Sequence, residues 1–186
     1  SGTDASSMTI GSSSGVLAFS SAPDYETKSS YIATVTASDG TNSATQNITV
    51  SITDVDDVAP VFTSSSTFSA AENQTSIGTV TATDVDSSSI SFSVSGSDLS
   101  MTTSGVLSFV SAPDYETKSS YTANVTASDG TNSSTQNITV NVTNVNDNTP
   151  SITSSLTLSA AENQTSIGTV TATDADGDTI NFSVLG

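Results

Sequence analysis

The chain has 186 residues, among them 19 acidic residues, two lysines and no arginine or histidine, and its formal net charge is −17. This charge disfavours nucleic acid and anionic membrane surfaces, since both are bound through Lys and Arg. The chain also lacks cysteine, so thiolate and imidazole metal sites and Ser-His-Asp or Cys-His catalysis are excluded, and only oxygen-binding ions remain as candidate metals.

Alternation of apolar residues with Ser and Thr predicts strands along the whole chain. The expected inward positions, in chain order, are Tyr31, Ala33, Val35 and Ala37; Ile48, Val50 and Ile52; Phe62 and Phe68; Gly78, Val80 and Ala82; Ile90, Phe92 and Val94; Leu107 and Phe109; Tyr121, Ala123, Val125 and Ala127; Ile138, Val140 and Val142; and Ile180, Phe182 and Val184. No helical period interrupts this pattern, and Asp129-Gly130 is typical of a turn.

The sequence repeats itself. Residues 22–30 recur unchanged at residues 112–120, an offset of 112 − 22 = 90, and residues 70–80 recur at residues 160–170 with the same offset. A unit of this size with about seven strands suits a small sandwich. We therefore predict an all-β fold of tandem seven-stranded Greek-key β-sandwiches joined end to end.

The repeat phase predicts three segments: residues 1–59 are the C-terminal part of one repeat, residues 60–149 a complete repeat, and residues 150–186 the N-terminal part of a third. Half a sandwich leaves a bare sheet face and unpaired strand edges. Either the chain is a window cut from a longer array, or neighbouring copies complete one another's half domains in a head-to-tail filament. We favour the window.

A short acidic junction stands between consecutive repeats. The first reads D-V-D-D-V-A-P over residues 54–60, and the second reads N-V-N-D-N-T-P over residues 144–150. A packed core has no use for so many carboxylates and amides in a row, whereas Ca²⁺ takes six to eight oxygen ligands of these kinds. Each junction is therefore predicted to be a calcium-binding hinge. An EF-hand at residues 174–185 is rejected, because Thr179 and Leu185 occupy the positions of its invariant Gly and Glu.

Four motifs in the same order resemble the cadherin repeat, and more closely its bacterial, cadherin-like relatives in long surface adhesins. Residues 144–150 resemble the linker D-x-N-D-N-x-P, and residues 114–116 resemble the D-R-E or D-Y-E motif. Glu72 resembles the lone glutamate near the first strand, and residues 84–86 and 174–176 resemble the D-x-D that a following domain contributes, while Asp129 resembles that domain's last ligand.

The resemblance implies a ligand set for each junction. For the first it implies Asp24, Glu26, Asp54, Asp56, Asp57, Asp84, Asp86 and Asp129; for the second it implies Glu72, Asp114, Glu116, Asn144, Asn146, Asp147, the Asn148 carbonyl, Asp174 and Asp176. It implies Ca²⁺ as the bound ion and an extracellular, cell-surface location.

Three functions compete. A structural, calcium-stiffened repeat segment of a long adhesin or surface filament needs many similar copies and no unique site. Its partners would be neighbouring repeats of the same chain or identical chains head to tail, with surface polysaccharide as a further partner. The alternative is a carbohydrate-binding cadherin-like module, although the chain has no Trp and only four Tyr. A glycoside hydrolase would need its carboxylates in a cleft, so we expect no enzymatic activity.

Overall fold

A computed structural model of the chain describes residues 2–186. The chain divides into two compact units. The first comprises the described residues up to Val61 with Thr83–Ile90 and Ser128–Ser134, and the second comprises Phe62–Ala82, Ser91–Ala127 and Thr135–Gly186. Within residues 2–186 no helix is long and apolar enough to cross a membrane.

Strands and one short 3₁₀ turn form the regular structure of the described residues. The turn is Ala5–Ser7, and the strands are β1 Met8–Ile10, β2 Leu17–Phe19, β3 Ser30–Ser38, β4 Ser43–Ser51, β5 Val61–Phe62, β6 Thr67–Ala71, β7 Ser76–Thr79, β8 Ala82–Thr83, β9 Ser91–Val94, β10 Leu99–Met101, β11 Val106–Phe109, β12 Ser120–Ser128, β13 Ser133–Thr143, β14 Ser151–Ile152 and β15 Ala172–Thr173. The prediction of an all-β chain is confirmed.

Seven strands between residues 60 and 149, the segment predicted to be a complete repeat, form two sheets. One sheet has the order β10-β11-β7, and the other has the order β6-β13-β12-β9. β6 runs parallel to β13, with Thr67 opposite Thr139 and Ala71 opposite Thr143. β11 pairs antiparallel with both of its neighbours. This arrangement agrees with the predicted Greek-key sandwich.

The core of this repeat is built from the inward residues of both sheets. Its buried members are Ala70, Val80, Leu99, Leu107, Phe109, Ala123, Val125, Ile138, Val140 and Val142. They recur at every second position of β11, β12 and β13, as the alternation predicts. Full burial of a side chain such as Leu107 stabilises the fold by about 1.5–3 kcal/mol.

Residues 2–59 form two hairpins. β1 pairs with β2, and β3 pairs with β4 over nine residue pairs from Ser30 opposite Ser51 to Ser38 opposite Ser43. Met8 and Ala33 are the buried hydrophobic residues of this segment. The sheets are therefore formed, but most of the apolar face that the complete repeat buries is open here.

Residues 150–186 contain only the short pair β14 and β15. The strand expected at Ile180, Phe182 and Val184 is not formed, and Val184 is 97% exposed. This prediction was wrong for a physical reason. The equivalent strand β9 is hydrogen-bonded to β12, and residues 150–186 contain no counterpart of β12.

Candidate metal centres

Strand pairing places Glu72 at the second junction. Glu72 directly follows β6, its backbone N–H donates to the Thr143 carbonyl (3.2 Å), and β13 leads from Thr143 into the junction. The Glu72 side chain is only 3% exposed. Its two carboxylate oxygens accept hydrogen bonds from the backbone N–H groups of Tyr115 and Val145, each at 2.7 Å. The buried Glu72 carboxylate thus connects the end of β6 to the D-Y-E turn and to the second junction through hydrogen bonds to a charged acceptor.

Four acids converge at this point. Glu72, Glu116, Asp147 and Asp176 each offer one carboxylate oxygen, and these oxygens all lie within 4.8 Å of one another. In sequence these acids are separated by up to about a hundred residues, so only the fold brings them together. Such a set of oxygens suits a hard divalent cation.

Asp176 is held in place by the junction itself. One of its carboxylate oxygens accepts from the backbone N–H of Asp147 (3.1 Å) and of Asn148 (2.8 Å). The Asn148 amide donates to the other oxygen at 2.9 Å, and the Asn144 amide donates to the Asp176 carbonyl at 2.8 Å. The hydrogen bond from the Asn148 side chain lowers the pKa of Asp176, so this acid is held ionised.

The D-Y-E motif forms a turn that presents Glu116. Asp114 accepts hydrogen bonds from the Thr117 hydroxyl (2.8 Å) and backbone N–H (3.2 Å), and the hydroxyl bond in particular lowers the pKa of Asp114. Glu116 behaves in the opposite way. Desolvation raises the pKa of Glu116, its own backbone N–H lowers it, and the negative charges of Glu72 and Asp176 raise it further. A nearby cation would therefore favour the ionised form of Glu116.

The first junction has the same design. Glu26, Asp54 and Asp86 offer carboxylate oxygens that lie within 4.8 Å of one another. Asp86 accepts from the backbone N–H of Asp57 (3.2 Å) and Val58 (2.8 Å), as Asp176 does at the second junction. Val58 stands where the second junction has Asn148, and this difference does not affect the bond, because the backbone N–H makes it.

Three aspartates near this junction bury a carboxylate oxygen that has no hydrogen-bond partner: Asp84, Asp86 and Asp129. Each uses its other oxygen to hold a local turn or the junction. Asp84 accepts from the N–H of Asp86 (2.8 Å), and Asp129 accepts from the N–H of Asn132 (2.6 Å). A buried oxygen without a donor is costly. Oxygen-binding cations are the usual partners of such carboxylates, and Asp86 also lies within the cluster of Glu26 and Asp54, so the donor set at this junction fits calcium.

The pKa of Glu26 also reports crowding of negative charge. The backbone N–H of Glu26 lowers the pKa of its carboxyl, but desolvation and the Asp86 and Asp24 carboxyls outweigh this bond and raise the pKa to about 7. Asp24, held by the Thr27 hydroxyl at 2.8 Å, has a lowered pKa. Below about pH 7 the Glu26 carboxyl therefore holds a proton, which a bound cation would displace.

The remaining expected ligands lie around these clusters. Asp56 accepts from the Asn132 amide at 3.1 Å, Asn146 is an exposed junction residue, and Asp174 belongs to a separate group with Asp176 and Asp178. Asp178 and Asn132 were not among the expected site residues. Asp178 lies two residues after the D-x-D motif, within the segment for which an EF-hand is rejected. Nothing in the sequence indicates the contact of Asn132 with Asp56.

Comparison with known proteins gives one family match. The model of the family described as "Cadherin domain" matches residues 66–143. Among curated proteins, mouse Cadherin EGF LAG seven-pass G-type receptor 1 is 32% identical over an alignment of 148 positions that covers 68% of this chain and 5% of that protein. The Drosophila melanogaster Protocadherin-like wing polarity protein stan is 31% identical over an alignment of 187 positions, gaps included, that covers 87% of this chain and 5% of that protein. The chain thus spans a small fraction of these relatives.

Solved structures agree with the family match. Protocadherin Gamma B2 extracellular cadherin domains 3-6 give a TM-score of 0.74 at 30% identity, over 91% of this chain and 49% of that one. The protocadherin gammaB7 EC3-6 cis-dimer structure gives 0.74 at 29% identity, over 91% and 50%. Mouse Cadherin-23 EC22-24 gives 0.70 at 28% identity, over 90% and 61%.

Proposed function

Because residues 66–143 are a cadherin domain, we propose that this chain is a calcium-stiffened repeat segment of a long extracellular adhesion protein. Its cadherin relatives are extracellular proteins of the cell surface, and this location applies to the chain as well. Members of the family are adhesion proteins and not enzymes. The relatives reported above are animal proteins, so the bacterial type of surface adhesin stays a prediction.

The observation that carries the proposal is the set of buried, unpartnered oxygens on Asp84, Asp86 and Asp129. Native proteins rarely bury a polar atom without a partner, and each exception needs an explanation. Here all three oxygens belong to acids in the positions that the cadherin resemblance assigns to calcium. Asp86 also lies in the acidic cluster with Glu26 and Asp54.

The chemistry of the joint follows from its charges. Without an ion, like-charged oxygens within 4.8 Å of one another repel, and this repulsion opposes the hydrogen bonds that hold Asp86 and Asp176 to the junctions. Calcium supplies the positive charge that turns this repulsion into coordination. At the first junction Glu26, Asp54 and Asp86 would hold it, with Asp84 and Asp129 nearby. At the second, Glu72, Glu116, Asp147 and Asp176 would do so.

We propose the repeat boundaries given above, with a complete repeat at residues 60–149, because they enclose the matched cadherin domain. In this arrangement each joint takes ligands from the repeat before it and from the D-x-D of the repeat after it. The partners proposed are neighbouring repeats or identical chains. The comparisons give no support to a polysaccharide partner.

Calcium titration calorimetry on the chain, with thermal melting in calcium and in chelator, tests this function. We expect binding at about 10⁻⁴ to 10⁻³ M, as in other extracellular modules, and a higher melting temperature in calcium. Asp86→Asn should remove binding at the first junction, whereas Asp98→Asn, an exposed surface acid paired with Lys118, should leave both junctions intact. Absence of binding heat, or equal loss in both variants, would refute the calcium joint.

A further inference from the structure

We propose that the side-chain amide of Asn148 acts as an internal substitute for the cation at the second junction, and that the residue at this position sets how strongly each junction depends on calcium. With Asn148, the second junction holds its acids together at low calcium. The first junction has Val58 at the same position and depends on the ion to do so. This regulation of the two sites rests on the calcium-binding function proposed above.

The backbone of the two junctions holds the second aspartate of the D-x-D motif in the same way. Oδ2 of Asp86 accepts the backbone N–H groups of Asp57 (3.2 Å) and Val58 (2.8 Å). Oδ2 of Asp176 accepts the two equivalent N–H groups of the second junction at 3.1 Å and 2.8 Å. The difference between the junctions therefore comes from their side chains.

The other oxygen of this aspartate shows the difference. Oδ1 of Asp176 accepts a hydrogen bond from the side-chain amide of Asn148 at 2.9 Å. Oδ1 of Asp86 is buried and has no hydrogen-bond partner. Val58 stands where Asn148 does, and a valine side chain has no N–H to donate. One side chain thus decides whether this oxygen has a donor.

The Asn148 amide also contacts two further acids of the second cluster. It donates to Asp147 at 2.8 Å and to Glu116 at 3.3 Å. With Asp176 and Glu72, these acids form the group whose carboxylate oxygens lie within 4.8 Å of one another. The amide is therefore a neutral partner for three of the four acids that a cation would bind, and its N–H dipoles offset part of their mutual repulsion.

Two more positions of the junctions show the same exchange of acids for amides. The second junction has Asn144 and Asn146 where the first has Asp54 and Asp56. The Asn144 amide donates to the Asp176 carbonyl at 2.8 Å. The segment of the second junction thus carries fewer negative charges and more amide donors, and both reduce the repulsion that an ion would have to neutralise.

The amide and the ion compete for the same acids. Calcium bound to these acids would place its positive charge beside the N–H groups of the Asn148 amide, so the amide has to turn away. The free energy of the lost hydrogen bonds is subtracted from that of calcium binding. By linkage, the amide stabilises the ion-free junction to the same extent that it weakens calcium binding. At the first junction Val58 leaves no amide to displace.

Reciprocal substitutions at this position test the competition at each junction by itself. Asn148→Val removes the amide from the second junction and is measured in a chain that also carries Asp86→Asn, which disables the first. Val58→Asn supplies an amide to the first junction and is measured with Asp176→Asn, which disables the second. One hydrogen bond to a charged group corresponds to about a factor of ten in an equilibrium constant.

Calcium titration calorimetry should therefore give opposite results for the two substitutions. Asn148→Val should lower the Kd for calcium by about tenfold, and Val58→Asn should raise it by about tenfold, each relative to the chain with the same disabling substitution. A Kd that either substitution leaves unchanged would overturn the competition between amide and ion.

Hydrogen exchange in chelator measures the ion-free junction without any bound calcium. The backbone N–H of Asp147, which donates to Asp176 at 3.1 Å, should exchange about tenfold faster in Asn148→Val than in the unchanged chain. Asn141→Val is the control, because it removes an exposed asparagine of β13 outside the junction, and it should leave this rate unchanged. Equal exchange in the two variants would contradict the role of the amide.

The NMR signals of the Asn148 side-chain NH₂ group report its displacement. They should move as calcium is added and stop moving when the second junction is saturated. Signals that stay fixed while calcium binds would show that the amide keeps its carboxylate partners and would refute its displacement.

Calcium-binding heat distinguishes failure of this role of Asn148 from failure of the function on which it rests. Absence of binding heat in the unchanged chain and in every variant would overturn both. Binding heat with Kd values that respond to neither substitution would overturn only the role of Asn148 and leave the calcium joints in place.

Discussion

Replacing Glu72 with Gln tests the second joint at its most buried ligand. The Glu72 carboxylate accepts the N–H groups of Tyr115 and Val145 and faces Glu116, Asp147 and Asp176. Gln keeps one acceptor oxygen, so one of these buried N–H groups loses its partner, at a cost of about 1–3 kcal/mol. Loss of the negative charge relieves repulsion and offsets part of this cost. In chelator the melting temperature should therefore fall only modestly.

In calcium the loss should be larger. A ligand present at about 100 times its Kd stabilises by about 2.7 kcal/mol, and a tenfold weaker site leaves about 1.4 kcal/mol of this. For a domain of this size, the difference of about 1.3 kcal/mol corresponds to about 5–10 °C. The calcium-induced rise in melting temperature should shrink by this amount in Glu72→Gln.

Calorimetric melting of dilute protein, with and without calcium, measures both effects. Glu162→Gln is the matched control, because Glu162 has the same position in the repeat but is exposed and belongs to neither acidic cluster. If Glu72→Gln shows the full calcium-induced rise in melting temperature, Glu72 is not a calcium ligand, and the second site is not built around it.

Three further outcomes are expected. In urea unfolding, Leu107→Ala should lower the free energy of unfolding by about 2–5 kcal/mol, because Leu107 is fully buried. Leu17→Ala, at the partly exposed counterpart, should lower it by less than about 1 kcal/mol. Equal losses would contradict this difference in burial. The pKa of Glu26 is raised to about 7, so below that pH the folded state binds a proton that the unfolded state has lost. In chelator the first joint should therefore lose stability as pH rises from about 5 to 8. An NMR titration that places the pKa of Glu26 near its ordinary value would disprove this. Calcium affinity at that joint should rise over the same range as the proton leaves, and pH-independent binding heat at the first joint would argue against Glu26 as a ligand.

Period-two alternation identified most strands of the complete repeat, because alternate residues of a strand face the core. It failed at β10, where Leu99-Ser100-Met101 is too short to show a period. It also failed at Ile180, Phe182 and Val184. There the alternation is correct, but no strand is present to pair with it, and a strand is stable only with its neighbours.

The grouping of the acidic residues could also be predicted only in part, because it too depends on contacts between residues far apart in sequence. The motifs contain Glu26 and Asp86 and their counterparts Glu116 and Asp176, which recur at an offset of 90 residues. The structure brings these acids into clusters, and their binding of an ion stays a prediction. The contact of Asn132 with Asp56 spans 76 residues of sequence, and nothing local to either residue signals it. Likewise, the buried free oxygens of Asp84 and Asp129 depend on how the loops pack, which the order of residues does not reveal.

The parallel pairing of β6 with β13 has a mechanical consequence. Tension that pulls the start of β6 and the end of β13 apart acts along the ladder from Thr67–Thr139 to Ala71–Thr143. Its hydrogen bonds are then loaded together in shear, and they cannot be peeled open one at a time. Glu72 follows the last residue pair of this ladder and accepts a hydrogen bond from the Val145 N–H. An ion held by Glu72 would therefore strengthen the end of the ladder against separation of the two strands. A chain of such repeats would resist stretching most strongly where its first and last strands meet.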